Sequence, residues 1–327
     1  MKAFVLQQGK LAVKEVEEPS VQAGEVIVAL KVAGVNRRDL YIPNRVGEVE
    51  DALILGSDGA GVIEAVGEGV TNVKVGDEVI INPALGWEKN SVAPPAGFDI
   101  LGMPDDGTMA EKIVIGANQV EKKPAFLTWD EAGVLALSAL TGYRALVTKG
   151  EIKAGQTVFI PGAGSGVATY IIQFANSLGA RVIVSSRSEE KRKRALELGA
   201  HMAIDTNSDW EEELADEIID LVIDSVGRAT FNRSLNVLKQ GGRMVVFGAT
   251  TEDIVNLDLR AFFYGQYQLS GSTMGCREEL QDLLQLMEKE SLRPVVGHVY
   301  DLDNIQEAFD LLTINDQFGK IAIRISE

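Results

Sequence analysis

The chain has 327 residues, enough for two domains with a sizeable core. Its 48 acidic against 31 basic residues give a net charge of −17, which excludes nucleic acid and anionic membrane surfaces as expected partners. A single cysteine, Cys276, excludes an internal disulfide and fits a reducing cytoplasm, the expected compartment. Residues 1–8 read as a short strand rather than a signal peptide, and no apolar run approaches the ~20 residues of a membrane span.

The first third is β-rich. Val26, Val28, Leu30 and Val32 alternate with other residues, as do Val79 and Ile81, and Gly56, Gly59, Gly61, Gly67, Gly69 and Gly76 punctuate short strands. Residues 83–106 are rich in Pro, Gly and Asp and hold no clear element, the mark of a lid or of a remnant of an older feature. Composition changes at Pro124. Thr128 and Glu131 have the spacing of a capping box, and a helical pattern runs from there to Val147.

Strand and helix signals then alternate. The predicted strands are 157–160, 181–185, 202–204, 220–224, 243–248 and 268–272. Helices capped by Ser188 and by Ser208 lie among them. Six strands with intervening helices imply an α/β, doubly wound parallel sheet. The first strand enters Pro161-Gly162-Ala163-Gly164-Ser165-Gly166-Val167-Ala168, which opens into a helix. Backbone without Cβ approaches a pyrophosphate closely, and the N–H groups of the new helix face that anion. Gly162, Gly164, Ser165, Gly166 and Val167 are therefore candidate dinucleotide ligands. The third glycine of the common fingerprint is replaced by Val167, and Ala168 is small enough for close helix–strand packing.

The second strand ends at Ser185-Ser186-Arg187-Ser188. An NAD site places Asp or Glu there, to accept from the ribose hydroxyls. Hydroxyls, a guanidinium and Lys191 suit a 2′-phosphate instead. The cofactor read from these residues is NADPH, with Ser186, Arg187 and Lys191 on the phosphate. Arg192 and Arg194 are read as a solvated helix face. After Cys276 the pattern gives a helix (278–289), a strand near 295–299, a helix (304–312) and a last strand (320–325). That tail is expected to return to the first domain, because the parallel sheet is already complete.

At this point the chain resembles the medium-chain dehydrogenase/reductase superfamily, and within it the zinc-free quinone oxidoreductase-like branch. The resemblance rests on Gly34-Val35-Asn36-Arg37-Arg38-Asp39-Leu40-Tyr41, Leu55-Gly56-Ser57-Asp58-Gly59-Ala60-Gly61, Val75-Gly76-Asp77-Glu78-Val79, Gly107-Thr108-Met109-Ala110-Glu111, Leu140-Thr141-Gly142-Tyr143, Asp224-Ser225-Val226-Gly227 and Phe318-Gly319-Lys320-Ile321. Their order and spacing together are specific. The resemblance implies a discontinuous β-rich GroES-like substrate domain (residues 1–123 and 276–327) and a central Rossmann dinucleotide-binding domain (124–275). It also implies an active site in the cleft between them, and homodimers that often pair the last strands of two central sheets.

Zinc relatives carry cysteine, His-Glu and a further cysteine or acid around the metal. By the resemblance Asn36 stands for the first cysteine, Ser57-Asp58 for His-Glu, and Ala136-Leu137-Ser138 offers no thiolate. No metal is expected, and the loop 83–106 has no cysteine for a structural zinc. Asp39 is read as a structural hydrogen-bonder, Asp58 as the same or as a cleft residue, Arg37 and Arg38 as solvated, and His201 and His298 as ordinary histidines. Without a Lewis acid, oxidation of a simple alcohol is disfavoured. A quinone or α,β-unsaturated carbonyl accepts hydride at carbon, and hydrogen-bond donors stabilise the resulting oxyanion. The family pattern makes Asn36 and Tyr41 those donors. It sets Thr141, Phe247, Gly248, Ala249, Thr273 and Met274 along the nicotinamide half, and Lys320 on the pyrophosphate. The reading is an NADPH-dependent quinone or enone reductase. Metal-free aldehyde or ketone reduction, and an NADPH-binding structural or sensor protein with little turnover, are its rivals.

Overall fold

The computed structural model describes residues 1–326 and divides into two compact units, Met1–Leu140 with the segment from Gly275, and Thr141–Met274. In the first unit, the strand Glu25–Val35 is the organising element. Its alternating Val26, Val28 and Leu30 are fully buried, as a half-buried sheet requires. It pairs antiparallel with Asp58–Val66, with Lys112–Gly116 and with the C-terminal strand Lys320–Arg324, which carries Val296–Asp301 parallel on its far side. The tail thus returns to the first unit, in register Ile321 opposite Val35. A second, three-stranded sheet runs Lys10–Glu15, Lys2–Gln7, Leu53–Ile54.

The loop 83–106 contains a short antiparallel pair, Ala84–Leu85 with Asp99–Ile100. Trp87 is 1 % exposed and meets Phe98 edge-on at 5.1 Å. The amides of Arg277 and Glu278 donate to the carbonyls of Trp87 and Glu88, and the Glu278 carboxylate accepts from the amide of Asn90. The loop is therefore pinned to the start of the helix Arg277–Glu290.

In the second unit six parallel strands run in the order Met202–Asp205, Arg181–Ser186, Thr157–Pro161, Ile219–Asp224, Leu238–Val246, Gln268–Gly271. In sequence rank this is 3-2-1-4-5-6, the order that opens a crevice beside the first strand at the carboxyl ends. Phe159, Ile183 and Val222 on its central strands are fully buried, each worth about 1.5–3 kcal/mol.

Some local expectations are corrected. The helical pattern from Thr128 is broken into Trp129–Gly133, Ala136–Tyr143 and a π-helical turn, Arg144–Lys149. Its first helix lies in the first unit, where Gly133 abuts Val32 too closely for a side chain: a Cβ there would come within 2.5 Å of it. Ser208 caps nothing. Asp209 does, accepting from the amides of Glu211 and Glu212, because its carboxylate is one residue nearer the helix Trp210–Glu213.

Candidate active site

The first unit gathers three polar side chains and one backbone carbonyl around one ammonium group. Gly34 lies opposite Asp58 in the strand pairing, and a Cβ on it would stand 2.9 Å from both the Asp58 Cβ and the Gly133 carbonyl. That close approach lets the Leu137 amide, at the start of its helix, donate to Asp58 Oδ1 at 2.6 Å. Asp58 Oδ2 accepts from Asn36 Nδ2 at 2.9 Å. Into this corner the strand Lys320–Arg324 brings Lys320. Its Nζ donates to Asn36 Oδ1 at 2.5 Å, Asp58 Oδ2 at 3.0 Å, Ser138 Oγ at 3.1 Å and the Val35 carbonyl at 3.1 Å. Ser138 Oγ in turn donates to Asn36 Oδ1 at 3.3 Å. The side chains of the Lys320–Asp58 ion pair are 3 % and 0 % exposed. Three ammonium hydrogens face four oxygens, so the donor capacity of Lys320 is fully engaged.

This placement corrects the expectation for Lys320. Its ammonium is enclosed within the first unit and spent on these acceptors, so the pyrophosphate contact is not supported. It also alters the expectation for Asn36, whose amide nitrogen is committed to Asp58 rather than free for an oxyanion. Tyr41 takes no part in the network. It follows the short helix Arg37–Leu40 and is 40 % exposed.

Two neighbouring residues differ from their expected roles. Arg38 is not solvated. Its guanidinium donates to Ser57 Oγ at 2.5 Å and to the Leu101 carbonyl at 2.8 Å, and burial holds its pKa below the ordinary value. Asp39 is wholly buried; Oδ2 accepts from the Asn36 amide at 2.8 Å, and Oδ1 has no partner among the described residues. Burial pushes its carboxyl up to about 6, against the pull of that amide, Arg38 and Lys320.

In the second unit the Gly-rich turn follows the strand Thr157–Pro161. Gly162 has φ +84°, a conformation L side chains rarely adopt, and its amide and that of Ala163 donate back to the Ser185 carbonyl. Ser165 caps the helix Gly166–Ser177 by accepting from the Ala168 amide at 3.1 Å. The amides of the first helical turn, Gly166 and Val167 among them, have no acceptor inside the helix and suit an anion. A Cβ at Gly164 would fall 2.7 Å from Lys191 Cδ, so the lysine side chain lies across the turn. At the neighbouring strand end the Ser186 hydroxyl accepts from the Ser188 amide. Arg192 is occupied by the Ser186 carbonyl at 2.6 Å and by Asp205 at 3.3 Å. Arg187 is exposed and joins no ion pair among the described residues. Half-buried Phe247, Gly248 and Ala249 follow the strand Leu238–Val246, while exposed Thr273 and buried Met274 follow Gln268–Gly271. Thr141, on the helix Ala136–Tyr143, is 7 % exposed.

Lys320, expected at the pyrophosphate, is the residue whose position the sequence did not reveal. Asn36, Asp58 and Ser138, which the resemblance sets at the positions of metal ligands, were visible in the sequence as polar side chains. What fills the space among them came only with the strand register.

Residues 22–125 match the family model described as alcohol dehydrogenase GroES-like domain, and residues 166–289 match that of zinc-binding dehydrogenase. An alcohol dehydrogenase of Geobacillus stearothermophilus is 31 % identical, over 99 % of this chain and 100 % of its own length. An acryloyl-coenzyme A reductase of Sulfurisphaera tokodaii is 32 % identical over 99 % and 100 %. The crystal structure of an NAD-dependent alcohol dehydrogenase, 33 % identical, superposes with a TM-score of 0.94 over all of both chains.

Zinc in the matched family's name can be tested against the donors present. Zinc takes thiolate, imidazole or carboxylate, normally four in a tetrahedron. Asp58 is the single such donor in the cluster, Asn36 and Ser138 are weak neutral oxygens, and an ammonium occupies the point they share. The residues do not fit zinc.

Proposed function

We propose that the chain, which belongs to the medium-chain dehydrogenase/reductase superfamily, is a zinc-independent, NADPH-dependent reductase of quinones or α,β-unsaturated carbonyls. It is an oxidoreductase by that membership. The observation that carries the finer reading is the Lys320 ammonium bound among Asn36, Asp58 and Ser138. With no Lewis acid to acidify a hydroxyl, alcohol oxidation lacks its usual driving device. A conjugated acceptor takes hydride at carbon and spreads the charge to oxygen, which asks less of the protein. Tyr41, with its exposed ring, is the remaining candidate donor to that oxygen. The reductase named for acryloyl-coenzyme A among the relatives supports an activated alkene.

Bound NADPH supplies the hydride. The chain's part is to seat it. The glycine turn and the helix Gly166–Ser177 offer amides to the pyrophosphate, while Arg187 and Lys191 offer charge to a 2′-phosphate. No carboxylate stands at the end of Arg181–Ser186 to favour ribose hydroxyls. The related structure described as NAD-dependent makes this preference a direct point of test.

We also assign a homodimer to the edge of the second unit. The outer strand Gln268–Gly271 and the helix Leu259–Tyr264, which buries none of its residues, expose Leu259, Phe263, Tyr264 and Leu269. So large an apolar edge suits a second copy.

The alcohol dehydrogenase relative favours a second reading, metal-free reduction of an aldehyde or ketone. Oxidation of NADPH and of NADH, followed across quinones, enones, enoyl thioesters, aldehydes and ketones, separates the two. Turnover confined to the conjugated acceptors supports the first. Turnover of saturated carbonyls alone overturns it, and none with any acceptor returns the chain to a binding role.

A further inference from the structure

The polar centre of the first unit has the form of a cation site. Oxygens from three separate elements converge on one buried positive charge: the Val35 carbonyl and Asn36 at the end of one strand, Asp58 at the start of its neighbour, and Ser138 from a helix. The charge itself arrives from a fourth element, at the first residue of Lys320–Arg324. We propose that Lys320 is a tethered cation standing in for a metal ion, a positioning residue that holds Asp58, Asn36 and Ser138 in place and keeps divalent ions out.

The chemistry of the acceptors favours this over an incidental ion pair. A buried carboxylate needs a positive partner, and one partner within 3.0 Å satisfies it. The further convergence of an amide oxygen, a hydroxyl and a backbone carbonyl is the oxygen set that hard divalent cations choose. An ammonium satisfies the same set through hydrogen bonds. With the lysine stem removed, those oxygens would surround a space left by the Nζ group and part of the chain, with one full negative charge on its wall. This inference rests on the metal-free reading of the site.

The test uses Mn²⁺ as the probe, by equilibrium dialysis and electron paramagnetic resonance, on the purified full chain, on Lys320→Ala and on Lys320→Ala with Asp58→Asn. The expected result is no uptake above surface background in the parent, one Mn²⁺ per chain in the single variant, and loss of that uptake in the double variant. Stranding Asp58 without its partner threatens folding, so circular dichroism of Lys320→Ala is followed with and without Mn²⁺. Recovery of the native spectrum by the metal supports the proposal. Stoichiometric uptake by the parent overturns it, and so does a variant that neither binds the metal nor folds with it. None of these readings requires turnover, so a failed substrate panel and a failed cation test are told apart.

Discussion

Asp39 shows how burial alone writes chemistry into a residue. Its carboxyl moves from the ordinary 3.8 to about 6 because desolvation outweighs one backbone hydrogen bond and two nearby cations. The folded state therefore holds the proton to higher pH than the unfolded chain does. The resulting stabilisation is complete below pH about 4 and is lost as pH rises through about 6. A displacement of that size corresponds to roughly 3 kcal/mol as an upper scale. Asp39→Asn cannot ionise, so its stability relative to the parent should rise across that window. Urea unfolding at a series of pH values checks this; parallel curves for the two proteins would contradict it. At the dinucleotide site, Arg187→Ala should weaken NADPH binding by about 1.5–3 kcal/mol, the scale of a hydrogen bond to a charged group. NADH binding should barely change. Fluorescence titration with both cofactors reads the difference, and equal affinity of the unmutated protein for the two would refute the assignment.

At the scale of elements, the loop 83–106 depends on one side chain. Trp87 is buried, donates its Nε1–H to Ser91 and packs on Phe98, while its backbone ties to the helix Arg277–Glu290. Trp87→Ala should cost about 3–5 kcal/mol, the usual range for a buried aromatic, with amide exchange fastest in residues 84–91. Unaltered stability would mean the loop is only draped on the helix. The edge strand Gln268–Gly271 makes a different prediction. Leu269→Lys places a charge on an edge assigned to a second copy, and sedimentation should show the parent as a dimer and the variant as a monomer. A monomeric parent would remove the assignment.

Elements of this kind differ in how far they could be read without coordinates. The strand before Gly162 and the helix after Ser165 announce themselves through β-branched runs, a glycine turn and 3.6-residue periodicity, all local signals. The first unit's final strand was legible for the same reason. The capping residue Asp209 and the π-helical turn Arg144–Lys149 were not, since both turn on one-residue shifts that propensity does not resolve. The Lys320–Asp58 contact joins positions 262 residues apart. Only the register of Lys320–Arg324 against Glu25–Val35 sets it, and periodicity carries no information on which strands become neighbours.

For the whole molecule, the fold is that of a dehydrogenase structure matched at a TM-score of 0.94, and residues 166–289 match a family model whose name includes zinc, while the side chains around Lys320 in the first unit do not fit that metal. Function follows from those side chains rather than from the fold. Among the described residues no helix is long and apolar enough to cross a membrane. The function we propose is hydride transfer to an activated acceptor without a metal. The measurement that meets it most directly is turnover of NADPH with a conjugated acceptor before and after exhaustive chelation, with zinc quantified in the same samples. Equal rates and no stoichiometric zinc in either sample are expected. One zinc per chain at the start, with activity lost on its removal and restored by its return, would contradict it.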